Sequence, residues 1–296
     1  MKKNCLLLGC IFFMLTLSIS AQNALVIIAH GAPSNEWNIP VVNLEVQVKE
    51  ALAAKGIKDF SYVRVALMEF SEPSVATVVH DCEKRGIKKV FAVPLFIAPS
   101  SHSEQDIPNI LNLKYTPKTI ESLNEEKTKL VDSDIHITLG PTLSYGDILS
   151  DILSDKIASL SKNKANENFI LVAHGDAEYL PMWKELLKKV SADIQKKTGL
   201  GCSGYGFIGM GQHFYEDVAD VLQKAGKDKK TVIVQGVYLS SGIKNIADYA
   251  AKQVSQKKYM DRLPKKVNYI YSSESLLPDN RISSWIVDRA VEWLSR

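Results

Sequence analysis

Cysteine is scarce. The 296-residue chain has four, and Cys5 and Cys10 stand in an apolar leader, leaving Cys82 and Cys202. Two cysteines make no disulfide framework, and no CxxC metal or redox pair occurs. Charge excess is also missing: 36 basic residues meet 33 acidic ones, a net of +3 that falls to +1 without Lys2 and Lys3. No global field draws the chain to nucleic acid. After the leader no apolar stretch reaches the roughly 20 residues of a membrane span, so no integral span is expected in the mature chain. GxSxG is absent too, which removes the common hydrolase elbow. Glycine (16) and proline (11) are too few for a low-complexity or collagen-like chain. What remains is a globular chain, 46% hydrophobic, with material for one large domain or two.

Residues Met1 to Ala21 read as a signal peptide. Lys2 and Lys3 open it, Leu6 to Leu17 is nearly all apolar, and Ser18, Ser20 and Ala21 supply small residues for cleavage. Export follows, most simply to a periplasm.

The rest of the chain alternates strand and helix patterns. Ala24 to Ala29 is a continuous apolar run, as in a strand covered on both faces. A helical pattern from Pro40 to Lys55 stops at Gly56, and the strand Val63 to Met68 follows. The helix Ser74 to Arg85 stops at Gly86, and Val90 to Phe96 is the next strand. The order then returns. Phe169 to Ala173 precedes His174-Gly175 as Ala24 to Ala29 precedes His30-Gly31, and the later elements keep step. The fold class is therefore α/β, with two pseudo-symmetric doubly wound domains, parallel sheets and right-handed crossovers, and the active cleft between them. The boundaries are 22–162 for the first domain, which carries the site, and 163–296 for the second, whose site is degenerate. The lysine-rich stretch Lys114 to Lys129 reads as a surface excursion.

Open parallel sheets bind ligands beyond the carboxyl ends of their strands. There the first copy offers His30, Glu69 and His102, from three neighbouring strand ends. Imidazoles with a carboxylate suit Co²⁺, Ni²⁺, Fe²⁺ or Zn²⁺, and proton abstraction near neutral pH. Glu72 precedes Pro73 at a helix start, where a carboxylate favours the helix dipole. In the second copy His174 matches His30. Gly209 and Gln212 replace the carboxylates, and Lys244 stands opposite His102. Lys244 can pair with an anionic substrate.

These residues resemble the sirohydrochlorin cobaltochelatase and ferrochelatase family, the small class II chelatases. Three motifs carry the likeness: Ile27-Ile28-Ala29-His30-Gly31, Leu67 to Ser74, and Val93-Pro94-Leu95-Phe96-Ile97-Ala98 leading to His102, with Ser103 to Pro108 completing the third. Val172-Ala173-His174-Gly175 and Gly140-Pro141-Thr142-Leu143 support it. The resemblance implies a lyase that inserts a divalent metal into a tetrapyrrole such as sirohydrochlorin, without ATP or any nucleotide. The metal is a substrate: Co²⁺ first, with Fe²⁺ and Ni²⁺ next. His30, His102 and Glu69 would be metal ligands and catalytic groups, and Ser100, Ser101, His174 and Lys244 would line the substrate. The rival is an exported haem-, tetrapyrrole- or metal-binding protein without turnover. A histidine phosphatase would need Arg where Ala29 stands. Gly204-Tyr205-Gly206-Phe207-Ile208-Gly209 matches GxGxxG but falls in or at the end of a strand, the wrong context for a dinucleotide. The sequence leaves the oligomeric state open.

Overall fold

A computed structural model describes residues 23–296; the leader lies outside the described residues. Each half holds one four-stranded sheet. In the first, β1 (Asn23–Ala29), β2 (Phe60–Leu67), β3 (Lys89–Pro94) and β4 (His136–Leu139) run in the order β2-β1-β3-β4. In the second, β5 (Glu167–Ala173), β6 (Gly201–Phe207), β7 (Thr231–Val237) and β8 (Asn268–Tyr271) repeat it as β6-β5-β7-β8. Every pairing is parallel, as helical crossovers require. The two halves therefore share one topology, as the sequence repeat implies.

Alternation along β1 explains the layering. Leu25, Ile27 and Ala29 face one core, and Ala24, Val26 and Ile28 face another. The same split runs along β5, with Phe169, Leu171 and Ala173 on the first of these cores and Ile170 and Val172 on a third. The inner faces of both sheets thus share a single core. Four helices fill it: Leu44–Ala54, Ile148–Leu160, Leu180–Thr198 and Asn280–Leu294.

The last helix of each half crosses to the other half. Ile148–Leu160 packs on β7 and on Leu180–Thr198. Asn280–Leu294 packs on β3 and on Leu44–Ala54, where Trp293 stacks on Phe91 at 5.5 Å and on Phe60 at 6.0 Å. Ion pairs Lys55–Asp288 and Lys197–Asp151 lie along the same two seams. A boundary at 162/163 therefore separates the sheets but not their packing. Urea unfolding followed by circular dichroism should show one transition. Ile286→Ala, at a fully buried position in the shared core, should lower stability by about 2–5 kcal/mol without splitting that transition.

Local detail departs from the sequence pattern in three places. The helical run after His30 begins earlier, with Ser34 capping Asn35–Val42, and breaks at Asn43 before Leu44–Ala54. β2 starts at Phe60, three residues before the apolar run. The stretch 114–129 is not a bare excursion, for it contains the helix Pro117–Glu125, whose Leu123 is buried in the outer core. Cys82 and Cys202 are both free; burial pushes the Cys82 thiol up to about 12. Gly204 and Gly206 lie inside β6, and a Cβ on Gly206 would meet Val218 at 2.6 Å. These glycines serve helix–sheet packing. Among the described residues no helix is long and apolar enough to cross a membrane.

Candidate metal centre

The β1–β2 ladder continues one step past the strands. Met68 N–H donates to Ala29 O at 2.9 Å and Glu69 N–H to His30 O at 3.0 Å. This sets His30 and Glu69 side by side. Gly31 makes the turn possible, with φ +90° and its Cα against the Glu69 carbonyl. A Cβ there would lie 2.3 Å from that oxygen. Glu69 opens the loop in which Phe70 holds φ 64°, a strained value for an aromatic residue. Phe70 is 64% exposed, and its ring centroid lies 6.1 Å from that of His30.

His102 arrives from β3, at the head of a π-helical turn, His102–Asp106. Such turns re-aim side chains and recur at functional sites. The imidazole rings of His30 and His102 stand edge to face, with centroids 4.7 Å apart. Ligand atoms of His30, Glu69 and His102 all lie within 4.8 Å of one another. Three donors at about 2.1 Å from one ion span up to about 4.2 Å, so small side-chain rotations close the set. His30 Nε2 stands 4.0 Å from Glu69 Oε2. That is too long for a hydrogen bond, and it leaves both lone pairs free.

Both imidazoles are oriented by their other nitrogen. His30 Nδ1 lies 2.7 Å from Gly31 O, which can only accept, so Nδ1 carries the hydrogen and Nε2 the lone pair. His102 Nδ1 lies 2.7 Å from Asp106 Oδ2, with the same result. Burial lowers the pKa of His102. The hydrogen bond and charge of Asp106, with the charges of Glu69 and Asp176, outweigh burial and hold it above the ordinary value. A protonated imidazole cannot ligate. Metal binding at this centre should therefore be lost as pH falls through that raised value, at higher pH than for an ordinary histidine. Asp106→Asn removes the charge. It should weaken metal binding at pH 8 by roughly 10–100-fold and move the acid limb of a Co²⁺ titration to lower pH. Two opposite movements distinguish this role from general loosening.

The other expected residues do not join the centre. Ser100 is buried and trades hydrogen bonds with Ser103 across the loop. The Ser101 hydroxyl donates to Asp176. Both hydroxyls are therefore committed to the protein. His174 keeps the geometry of its counterpart, with Nδ1 2.6 Å from Gly175 O, but is exposed and belongs to no group of three metal donors among the described residues. Lys244 pairs with Asp248 on its own helix. Glu72 accepts from Ser74 N–H at 2.6 Å, just ahead of the helix Val75–Lys84 that Ser74 itself caps, and that bond holds its carboxyl below the usual range.

Sequence reasoning missed Asp106 and Asp176. Asp106 stands four residues after His102, a spacing that signals a side-chain pair on a helix. It also missed the wall formed by 126–129. With the loop 68–74 these residues line a cavity of about 490 Å³ that opens onto Glu69. Burial and the negative charges of Glu69 and Asp106 raise the pKa of Glu126 on this wall.

Residues 24–160 match the CbiX family model. Over 94 residues the chain is 37% identical to the sirohydrochlorin cobaltochelatase of Methanococcus maripaludis, a stretch covering 31% of this chain and 60% of that relative. It is 29% identical to the sirohydrochlorin cobaltochelatase of Methanococcoides burtonii over 138 residues, which is 47% of this chain and 96% of the relative. The fold is similar to that of SirB from Bacillus subtilis solved with Fe³⁺, at TM-score 0.61 and 16% identity over 91% of this chain and 94% of SirB. It is likewise similar to sirohydrochlorin chelatase SirB of Bacillus subtilis subspecies spizizenii in complex with cobalt, at TM-score 0.58 and 14% identity over the same shares.

Proposed function

From the match of residues 24–160 to the CbiX family model, we propose that this chain is a chelatase of that family and inserts a divalent metal, cobalt first, into sirohydrochlorin or a close relative of that tetrapyrrole. The observation that carries this reading is the convergence of His30, Glu69 and His102, three donors from three strand ends.

The chemistry follows from the free atoms. With both Nδ1–H groups engaged, the Nε2 atoms of His30 and His102 and a Glu69 oxygen hold the incoming dication. Three protein donors leave coordination positions open, so the ion is held without being trapped. Insertion exchanges one M²⁺ for two N–H protons of the macrocycle. While the imidazoles carry metal, the second carboxylate oxygen of Glu69, the one not on the ion, takes the first proton. Once the ring nitrogens have the metal, the vacated Nε2 atoms become acceptors too. No nucleotide enters this balance.

The test is the rate at which the metallated spectrum develops when the purified chain meets sirohydrochlorin and Co²⁺, Fe²⁺ or Ni²⁺ in separate arms. An enzyme shortens that time over the protein-free mixture, and the ratio among arms identifies the metal. A chain that binds the macrocycle but leaves the rate unchanged is a carrier, and the proposal fails. Export to the periplasm belongs to the same reading, supported by residues 1–21. Mass spectrometry of the secreted chain should find the N-terminus at Ala21 or Gln22, and an intact Met1 would refute it.

A further inference from the structure

The loop carrying His102 belongs to the first half, yet besides its own Ser100–Ser103 and His102–Asp106 bonds it is held by groups from the second. Asp176 Oδ2 accepts the backbone N–H of Ser101 at 2.9 Å and the Ser101 hydroxyl at 3.0 Å. Asp176 Oδ1 accepts the N–H groups of Glu178 at 3.0 Å and Tyr179 at 3.1 Å. With both oxygens committed, the carboxylate cannot rotate without losing bonds to its own turn or to the loop. Two more bonds cross the same seam. Trp183 Nε1–H donates to Pro99 O at 3.0 Å, and Gln105 Nε2–H to Glu178 Oε1 at 2.7 Å. Pro99, Ser101 and Gln105 bracket His102, so its backbone is gripped on both sides.

The repeat gives this arrangement its meaning. Asp176 is the second residue after His174, and its counterpart after His30 is Ala32. Ala32 has no side-chain acceptor; its backbone is satisfied by Asn38 instead. Among the described residues no three-donor set includes His174, but the turn that would have framed one reaches across to the first half.

We propose that Asp176 is a positioning residue of the metal centre: by fixing the Ser101–His102 backbone it sets where His102 Nε2 meets His30 and Glu69. The inference rests on reading those three side chains as metal donors. The alternative is a plain tie between halves, which adds stability and leaves metal affinity alone.

The experiment titrates Co²⁺ alone into the full chain and follows the visible absorption of bound cobalt. Wild type, His102→Ala, Asp176→Ala and the double variant are compared, with thermal midpoints recorded beside them. Asp176→Ala should bind Co²⁺ roughly tenfold more weakly, the scale of outer partners of metal ligands. The double variant should bind no more weakly than His102→Ala, because Asp176 acts through His102. Ser101→Ala keeps the backbone bond and should fall between wild type and Asp176→Ala. If Asp176→Ala does not fold, Asp176→Asn, which keeps one acceptor oxygen, is read in the same way. Wild-type affinity in the Asp176 variant, or losses that add in full, overturns the proposal while the donor reading stands. Equal affinity in wild type and His102→Ala overturns both.

Discussion

Replacing His102 by alanine should abolish metal insertion while leaving the molecule folded. Loss of a mere outer partner costs about 10–100-fold in metal affinity or activity. Loss of one of three donors should exceed that, and a fall on the order of 10³-fold is expected. The fold should tolerate the change, because the His102 side chain is 39% exposed and its truncation opens no closed cavity. It strands only Asp106, whose carboxylate is 21% exposed and can take water in place of Nδ1–H. The check is the metallation rate at saturating Co²⁺ beside the thermal midpoint. His80→Ala is the matched control, since His80 is an exposed helix residue paired with Glu83. A His102→Ala variant that still turns over at the wild-type rate would dismiss the centre.

Glu69→Gln should produce the second largest effect, of a different kind. Glutamine keeps the size and one oxygen, and the close contact with Gly31 involves the Glu69 backbone, so the turn is preserved. What disappears is a charge and a proton acceptor. General-base groups contribute about 10²–10⁴-fold, so kcat should fall by roughly 10²-fold or more. Affinity for Co²⁺, still held by two imidazoles, should weaken less. Steady-state kinetics with metal and macrocycle varied separately would resolve the two. A large rise in the metal KM at constant kcat would recast Glu69 as a ligand with no part in proton transfer.

Much of this was written in the chain. The apolar run before His30-Gly31 marks a strand and a tight turn, and its return 144 residues later marks the duplication. The convergence of His30, Glu69 and His102 was legible because parallel sheets gather their strand ends on one rim, a rule that needs no coordinates. The bonds of Ser100 and Ser101 within the protein were hidden from the sequence for a physical reason. A hydroxyl before a functional histidine looks free in one dimension, but here one is buried in its loop and the other faces Asp176. Asp176 itself lies 75 residues from Ser101, and only the closeness of the two strand-end rims makes it a partner. The helix at 117–125 was passed over because lysines dominate the stretch. Thr119 and Leu123, four residues apart and both buried, were its quiet signal. Which sheet a helix covers was beyond reach, since periodicity gives the width of an apolar face and not its address.

The exchange of final helices has a consequence for biosynthesis. The ribosome releases the first sheet early, but the 15-residue helix that seals its inner side, with Trp293 stacked on Phe60 and Phe91, is made only after every strand of the second sheet. The nascent first half must wait with that apolar side only partly covered, by its own Leu44–Ala54, through the making of the entire second sheet. Any partner that shields apolar chains in transit has its widest window there, and translation halted between the halves leaves a product with nothing to close it.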